Sequence, residues 1–152
     1  MVGTSTHSVL VSIEQPFEGL VGGGLIESIA ARVLEAEGQP PTELGVVVTD
    51  DDAVRDLNRE YAGDDEATDV LAFSLREGEE FVSPDEVQRL GEVVISYPTA
   101  QRQAEEAGRA VEEEVAHLLV HGILHLLGYD HTEEDEERVM RAREGALLAS
   151  VR

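Results

Sequence analysis

The sequence predicts one domain of the α/β or α+β class, in which about five helices pack against a small mixed sheet of four strands, one of them antiparallel. Three observations lead to this prediction. Four short segments have the apolar pattern of strands, five longer ones repeat apolar residues at helical spacing, and the two types are mixed along the chain. No internal repeat or low-complexity linker divides the 152 residues, so residues 1–152 are expected to form a single domain.

Strands and helices alternate in the first half of the chain. Residues 8–14 alternate apolar and polar side chains and predict a strand. Apolar residues recur at helical spacing over residues 25–34 and predict a helix, which Gly38 ends ahead of two prolines. Residues 44–49 form a β-branched run and predict the second strand. Three aspartates at residues 50–52 can cap the next helix. The inner face of that helix holds Val54, Leu57, Asn58 and Tyr61.

The second half places two strands before three helices. Residues 69–75 predict the third strand, an acidic loop follows over residues 77–89, and residues 91–96 predict the fourth strand. Pro98 suits the first turn of a helix rich in alanine and glutamate. Residues 110–127 predict a longer helix that is apolar all round in its second half, so we expect it to be buried.

The last predicted element is a further helix. Gly128 ends the long helix before it, because glycine readily adopts the left-handed conformation that reverses the chain. Thr132 can cap the final helix, which is amphipathic and contains the apolar residues Val139, Met140 and Leu147.

The composition limits the chemistry that is available. There are no cysteines, which excludes a disulfide framework and a thiolate zinc site, so any transition metal must be held by His, Asp or Glu. Residues 1–8 carry neither the positive charge nor the apolar core of a signal peptide. The most apolar stretch, residues 115–129, contains three histidines and is too short to span a bilayer. We therefore expect a cytoplasmic protein with no membrane partner.

The charge of the chain is strongly negative. The formal net charge is −22, and all 11 basic residues are arginine. Such a field repels RNA and DNA at long range, because nonspecific binding depends on neutralising phosphates. It does not exclude a local basic patch, since a site is built from a few residues. The negative surface is explained either by solubility or salt adaptation or by binding of a protein partner.

One segment carries the chemistry: residues 121–131 read HGILHLLGYDH. His121 and His125 lie four residues apart, so on a helix both imidazoles project from the same face and can bind one ion. Because Gly128 ends the helix, His131 can return as a third ligand. Three protein ligands leave the fourth tetrahedral position open to water, as catalytic sites require. We predict one Zn²⁺ per chain, although nickel, cobalt or copper also suits these ligands.

Three neighbouring positions decide how this segment is interpreted. His117 lies one further turn upstream and either supports a ligand, contacts substrate or is a hydrogen-bonded core residue. Asp130 either orients an imidazole and moves protons or stabilises the turn. The spacing H-x-x-x-H-x-x-G-x-x-H matches the metzincin proteases, but Gly122 stands where those have a glutamate as general base. This argues against ordinary peptide hydrolysis.

At this point the sequence resembles the bacterial YbeY-type endoribonucleases, also described as rRNA maturation factors. Residues 121–131 match the family signature H-G-x-L-H-L-x-G-Y-D-H almost completely. Residues 57–73 resemble its segment L-N-x-x-Y-R…P-T-D-V-L-S-F, and residues 91–95 resemble its strand G-D-I-x-I. The resemblance covers residues 46–137. It implies a zincin-like α+β fold with the metal helix beneath the sheet. It also implies a metal-dependent, single-strand-specific RNase acting in rRNA processing and ribosome quality control.

The sequence departs from the family pattern at three positions, where alanine replaces arginine, proline and serine: Ala62, Ala67 and Ala72. The arginine matters most, because a guanidinium near the metal can clamp phosphate and stabilise developing charge. We hypothesise that Arg59, three residues before position 62, supplies the missing guanidinium and that Arg55 or Arg76 helps to bind phosphate. Thr68 and Asp69, from the matching T-D-V-L segment, are assigned as further substrate contacts. The alternative is that these arginines are ordinary solvated helix residues.

Two other functions remain open on the sequence. A peptidase or amidase could use the same three histidines, although Gly122 weighs against it. A non-enzymatic ribosome assembly factor whose metal stabilises the fold would suit the acidic surface. For the favoured endoribonuclease, proton transfer could involve metal hydroxide, Asp130 or the RNA 2′-hydroxyl. The expected partners are single-stranded RNA, in particular rRNA, and the ribosome or a ribosome-associated protein.

Overall fold

A computed structural model describes residues 7–62, 69–74, 87–129 and 134–150. It contains four strands: β1 Ser8–Ile13, β2 Thr42–Thr49, β3 Val70–Ser74 and β4 Gln88–Ser96. It contains five α-helices: α1 Gly23–Ala36, α2 Asp51–Ala62, α3 Tyr97–Ala107, α4 Val111–Leu126 and α5 Glu134–Ser150. A 3₁₀ turn, Gln15–Phe17, follows β1. These elements confirm the predicted α+β class and the predicted order of strands and helices.

The four strands form one mixed sheet in the order β1-β2-β4-β3. β1 pairs with β2 and β2 with β4 in parallel, whereas β3 pairs with β4 antiparallel. The predicted single antiparallel strand is therefore β3, and it lies at an edge of the sheet. β2 and β4 begin earlier than predicted because they pair with each other from Thr42 opposite Gln88 onward. Backbone pairing of this kind extends a strand beyond its apolar run.

Helix α4 lies at the centre of the packing. It contacts α1, α3 and α5 as well as β3 and β4. Leu119, Val120, Ile123 and Leu124 are fully buried on it, which confirms the prediction that this helix is a core element. Burial on nearly all sides explains why the apolar pattern runs all round the second half of this helix.

Two local predictions have clear outcomes. Asp50 caps α2 as expected, since its Oδ1 accepts a hydrogen bond from the Ala53 N–H at 2.8 Å. The final helix contains Val139, Met140 and Leu147 as predicted, and of these Met140 and Leu147 are buried whereas Val139 is 60% exposed. Adjacent residues of a helix point about 100° apart, so Val139 cannot share the face of Met140.

Other predictions fall on residues that the structure does not describe. These are the cap at Thr132 and most of the acidic loop 77–89. In the parts of the chain that are described, no helix is both long and apolar enough to cross a membrane. The single domain over residues 1–152 stays a prediction.

The carboxyl end of β4 is held to the start of α2 by a polar cluster. The Asp51 carboxylate accepts hydrogen bonds from the Ser96 hydroxyl, from Thr99 Oγ1 at 2.6 Å and from Arg102 Nη2 at 3.1 Å. The backbone N–H of Ser96 also donates to the carbonyl of Asp69 at 2.9 Å, directly before β3. These hydrogen bonds therefore fix the position of Asp69 at the start of β3.

Candidate metal centre

His121 and His125 face one cavity between α4 and the edge strand β3. The cavity has a volume of about 360 Å³ and is lined by seven residues: Asp69, Val70, Leu71, Ala72, His121, Gly122 and His125. The two histidines lie on successive turns of α4, which brings both imidazoles to the same opening. His125 is exposed and His121 half-buried, so both rings are accessible from the cavity. Imidazole nitrogens placed in this way suit a divalent transition metal, which binds them at about 2.0–2.1 Å.

The end of α4 reverses the chain as the sequence predicts. Gly128 has a φ of +104°, a left-handed conformation that glycine adopts without steric cost. The N–H of Tyr129 donates to the carbonyl of Leu124 at 3.0 Å, which closes the helix end. The chain therefore turns back three residues before His131. His131 and Asp130 lie outside the described residues, so the third ligand stays a prediction.

The carboxylate of Glu144 on α5 lies against His121. Its Oε2 is 2.5 Å from Nδ1 of the imidazole, and its side chain is only 8% exposed. Glu144 is not among the site residues predicted from the sequence. Its position in the sequence could have indicated a buried role, because Glu144 lies four residues after Met140 and three before Leu147, on the face of α5 that is buried. A carboxylate on the apolar face of an amphipathic helix requires a partner, and here the partner is His121.

Glu144 also affects the protonation of His121. The hydrogen bond that the imidazole donates to this carboxylate raises the pKa of His121 above the ordinary value, and this effect outweighs burial, which lowers it. The charges of Glu144 and Asp69 act in the same direction. At a given pH a larger fraction of His121 is therefore protonated than in a free histidine, and metal binding at this ring has to displace that proton.

Gly122 is required by the approach of α4 to the sheet. A Cβ at this position would lie 2.8 Å from Val93 Cγ1 and 3.4 Å from Val70 Cγ2. Val93 is fully buried, and its β-branched side chain cannot move aside easily. The glutamate that metzincins carry here is therefore excluded by packing, in addition to being absent from the sequence.

Asp69 faces the two histidines from the other wall of the cavity. Gln103 Nε2 on α3 donates a hydrogen bond to its Oδ2 at 3.3 Å. Among the described residues, no group of three or more His, Asp or Glu side chains is close enough to hold a metal ion together. Asp69 therefore shares the cavity with His121 and His125 without completing a set of ligands with them.

Among the described residues, Arg55, Arg59 and His117 do not line this cavity. Arg59 and Arg55 are exposed on α2, and Arg59 forms an ion pair with Asp56 at 2.8 Å. His117 lies with His121 beside a second cavity of about 600 Å³ between α4 and α5, away from His125. The arginine and histidine roles stay predictions. The substrate contacts predicted at Arg76 and Thr68 lie outside the described residues.

Comparison with known proteins decides the family. The model of the family described as Endoribonuclease YbeY matches residues 23–152. An endoribonuclease YbeY from Desulforamulus reducens is 52% identical over 126 residues, which cover 82% of this chain and 82% of that protein. The chain belongs to the YbeY endoribonuclease family.

Further YbeY relatives agree in sequence and in fold. An endoribonuclease YbeY from Aquifex aeolicus is 47% identical over 127 residues, 83% of this chain and 81% of that protein. A solution structure of a Thermotoga maritima protein superposes with a TM-score of 0.62 at 25% identity, over 94% of this chain and 88% of that one. The resemblance stated from residues 121–131 is confirmed, and so is the α+β fold that it implied.

Membership of the YbeY family also answers the question of enzyme class. The prediction of an endoribonuclease, a hydrolase that acts on RNA, is confirmed by the family and its relatives. Nothing in these comparisons favours the peptidase or the non-enzymatic assembly factor. The family and the two imidazoles of the cavity together support a divalent metal cofactor.

Proposed function

We propose that this YbeY-family chain is a zinc-dependent endoribonuclease that cleaves single-stranded RNA during rRNA maturation and ribosome quality control, in the cytoplasm and in association with the ribosome. His121, His125 and His131 would hold the ion. The observation that carries the proposal is the pair of imidazoles on successive turns of α4, facing the cavity below the edge strand β3. The family identity of the chain supports RNA as the substrate.

The form of the cavity supports a single strand as substrate. It lies along an edge strand, so a chain can enter from the open side of the sheet. An unpaired RNA backbone can enter a cleft that a duplex cannot. A bound divalent ion supplies positive charge that polarises a phosphoryl oxygen. This local charge is needed on a chain of net charge −22.

Loss of His125 tests the metal centre. His125→Ala removes an exposed imidazole at the cavity. We expect cleavage of a labelled single-stranded RNA by the purified, zinc-loaded variant to fall by at least about 100-fold. Loss of a residue that only supports a metal ligand already costs about 10–100-fold in metal affinity or activity. His7→Gln is the matched control, because His7 precedes β1 at the opposite edge of the sheet, where its Nδ1 accepts a hydrogen bond from the Thr42 N–H at 3.2 Å. Equal cleavage by wild type and His125→Ala would refute the proposal.

We further propose that Asp69 accepts the proton of the attacking hydroxyl, either of water or of the RNA 2′-hydroxyl. A carboxylate repels the phosphate oxygens, so proton transfer suits Asp69 better than the substrate binding predicted from the sequence. Gln103 holds Oδ2 at 3.3 Å, which orients the carboxylate on the cavity wall opposite the histidines. The proton returns to the leaving oxygen when the phosphodiester bond breaks.

Asp69→Asn is therefore expected to lower kcat for RNA cleavage by about 100-fold, the lower end of the range for general acid–base groups. Zinc affinity should remain within about 3-fold of the wild type, because the asparagine keeps the shape of the side chain. Asp52→Asn, an exposed aspartate of α2, is the control and should leave both quantities unchanged. A wild-type kcat in Asp69→Asn would eliminate the proton-transfer role. A parallel loss of zinc affinity would instead make Asp69 part of the metal centre.

A further inference from the structure

The imidazole of His121 separates two cavities. The cavity of about 360 Å³ on the side of β3 contains His125, and the cavity of about 600 Å³ on the side of α5 contains Glu144. His121 is the residue that lines both of these cavities. Its Nδ1 is directed to α5, where the Glu144 carboxylate lies 2.5 Å away. Because Nδ1 and Nε2 are on different sides of the ring, Nε2 lies on the side of the cavity that contains His125.

Glu144 is held firmly enough to define this orientation. It is 6% exposed and lies between the buried residues Met140 and Leu147 on one face of α5. A carboxylate in such surroundings is stabilised by accepting a hydrogen bond, and the Nδ1–H of His121 is the donor that the structure provides. The packing of α5 against α4 thus determines where the acceptor oxygen lies.

We propose that Glu144 is a positioning residue for the metal centre. By accepting a hydrogen bond from Nδ1–H, it selects the tautomer of His121 whose Nε2 lone pair is available to the ion and prevents rotation of the ring. This inference rests on the proposed metal centre. A carboxylate that accepts the second N–H of a metal-binding imidazole fixes both its tautomer and its orientation. The ring is then already ordered in the folded protein, so metal binding does not have to meet the entropic cost of ordering it.

Zinc affinity, measured by competition with a chromophoric chelator, tests this role without any RNA. Glu144→Ala removes the acceptor and is expected to weaken zinc binding by about 10–100-fold. Glu144→Gln keeps an acceptor oxygen in the same place and is expected to stay within about 5-fold of the wild type, because the hydrogen bond that orients the ring is retained. If Glu144→Ala does not fold, Glu144→Met replaces it, because methionine fills the same space without an acceptor.

Glu114→Ala is the matched control. Glu114 is also a buried glutamate, 4% exposed, and it forms an ion pair with Arg109 at 3.2 Å. It lies on α4 two turns before His121, so its loss is expected to lower thermal stability without changing zinc affinity by more than about 2-fold. Nitrogen-15 NMR of zinc-loaded protein gives a second readout: the wild type should show metal at Nε2 of His121, and Glu144→Ala should show loss of this single binding mode.

The outcomes separate the inference from the proposed function. Wild-type zinc affinity in folded Glu144→Ala or Glu144→Met would overturn the positioning role. So would a loss in Glu144→Gln as large as in Glu144→Ala, because charge and not the acceptor oxygen would then be responsible. His125→Ala is measured alongside. If it also binds zinc like the wild type, the proposed metal centre itself is wrong, whereas a loss in His125→Ala alone rejects only the role of Glu144.

Discussion

Glutamate at position 122 is expected to unfold the protein instead of supplying a catalytic base. Gly122→Glu would restore the residue that metzincins use, but its Cβ would start 2.8 Å from Val93 Cγ1, inside the contact of α4 with the sheet. The substitution adds both overpacking and a buried charge without a partner. We expect the free energy of unfolding to fall by more than about 4 kcal/mol, a loss reached only by severe core changes.

Urea denaturation of two further glycine variants tests the cause of this loss. Gly122→Ala adds one carbon at the same contact, and overpacking should lower the free energy of unfolding by about 1–3 kcal/mol. The higher helix propensity of alanine relative to glycine offsets part of this loss. Gly24→Glu is the matched control, because Gly24 lies in the first turn of α1 with no atom within 4 Å of an added Cβ. A glutamate there should be neutral or stabilising. A folded Gly122→Glu variant that hydrolyses peptides would contradict this prediction and would support the peptidase as the alternative function.

Loss of Glu37 is expected to have the second largest effect. Its carboxylate joins three elements at the end of α1: Oε1 accepts from Tyr129 Oη at 2.8 Å, and Oε2 accepts from Arg143 Nε. Arg143 Nη2 also donates to the carbonyl of Ala36 at 3.2 Å. The hydrogen bond to Glu37 raises the pKa of Arg143 above its ordinary value. Burial, and after it the hydrogen bond to Glu37, raises the pKa of Tyr129.

Glu37→Ala leaves a guanidinium and a phenol without their acceptor. The side chain of Glu37 is 9% exposed and that of Arg143 is 35% exposed. Because Arg143 keeps partial access to water, we expect a loss of about 3 kcal/mol in the free energy of unfolding, the lower end of the range for breaking a buried ion pair. Tyr129→Phe removes a single hydrogen bond and should cost about 1 kcal/mol. Glu35→Ala changes an exposed glutamate of the same helix and should remain within about 0.5 kcal/mol of the wild type.

The Glu37 contact also has a functional consequence. Tyr129 lies directly after the turn at Gly128 and two residues before His131. Its hydrogen bond to Glu37 holds the start of the segment that carries the predicted third ligand. We therefore expect Glu37→Ala to weaken zinc binding as well, in the same chelator competition that measures Glu144→Ala. Unchanged zinc affinity in a destabilised Glu37→Ala would limit this contact to a structural role.

Most of the fold follows from local patterns along the chain. The helix over α4, its end at Gly128 and the cap at Asp50 depend on residues within about one turn of each other, so the sequence predicts them directly. The same holds for His121 and His125, whose shared face is a consequence of helical geometry. The motif over residues 121–131 is specific enough to indicate the family without the rest of the chain.

Local patterns along the chain are thus sufficient to predict the class of fold, the family and two imidazoles of the candidate metal centre. Which distant groups support these imidazoles depends on tertiary packing. Glu144 is 23 positions from His121, Gln103 is 34 from Asp69, and Val93 meets Gly122 across the boundary between helix and sheet. No periodicity reveals such pairs, because they arise from how α5, α3 and β4 pack on α4 and β3. Periodicity reports which face of an element is buried, and only packing decides what that face meets.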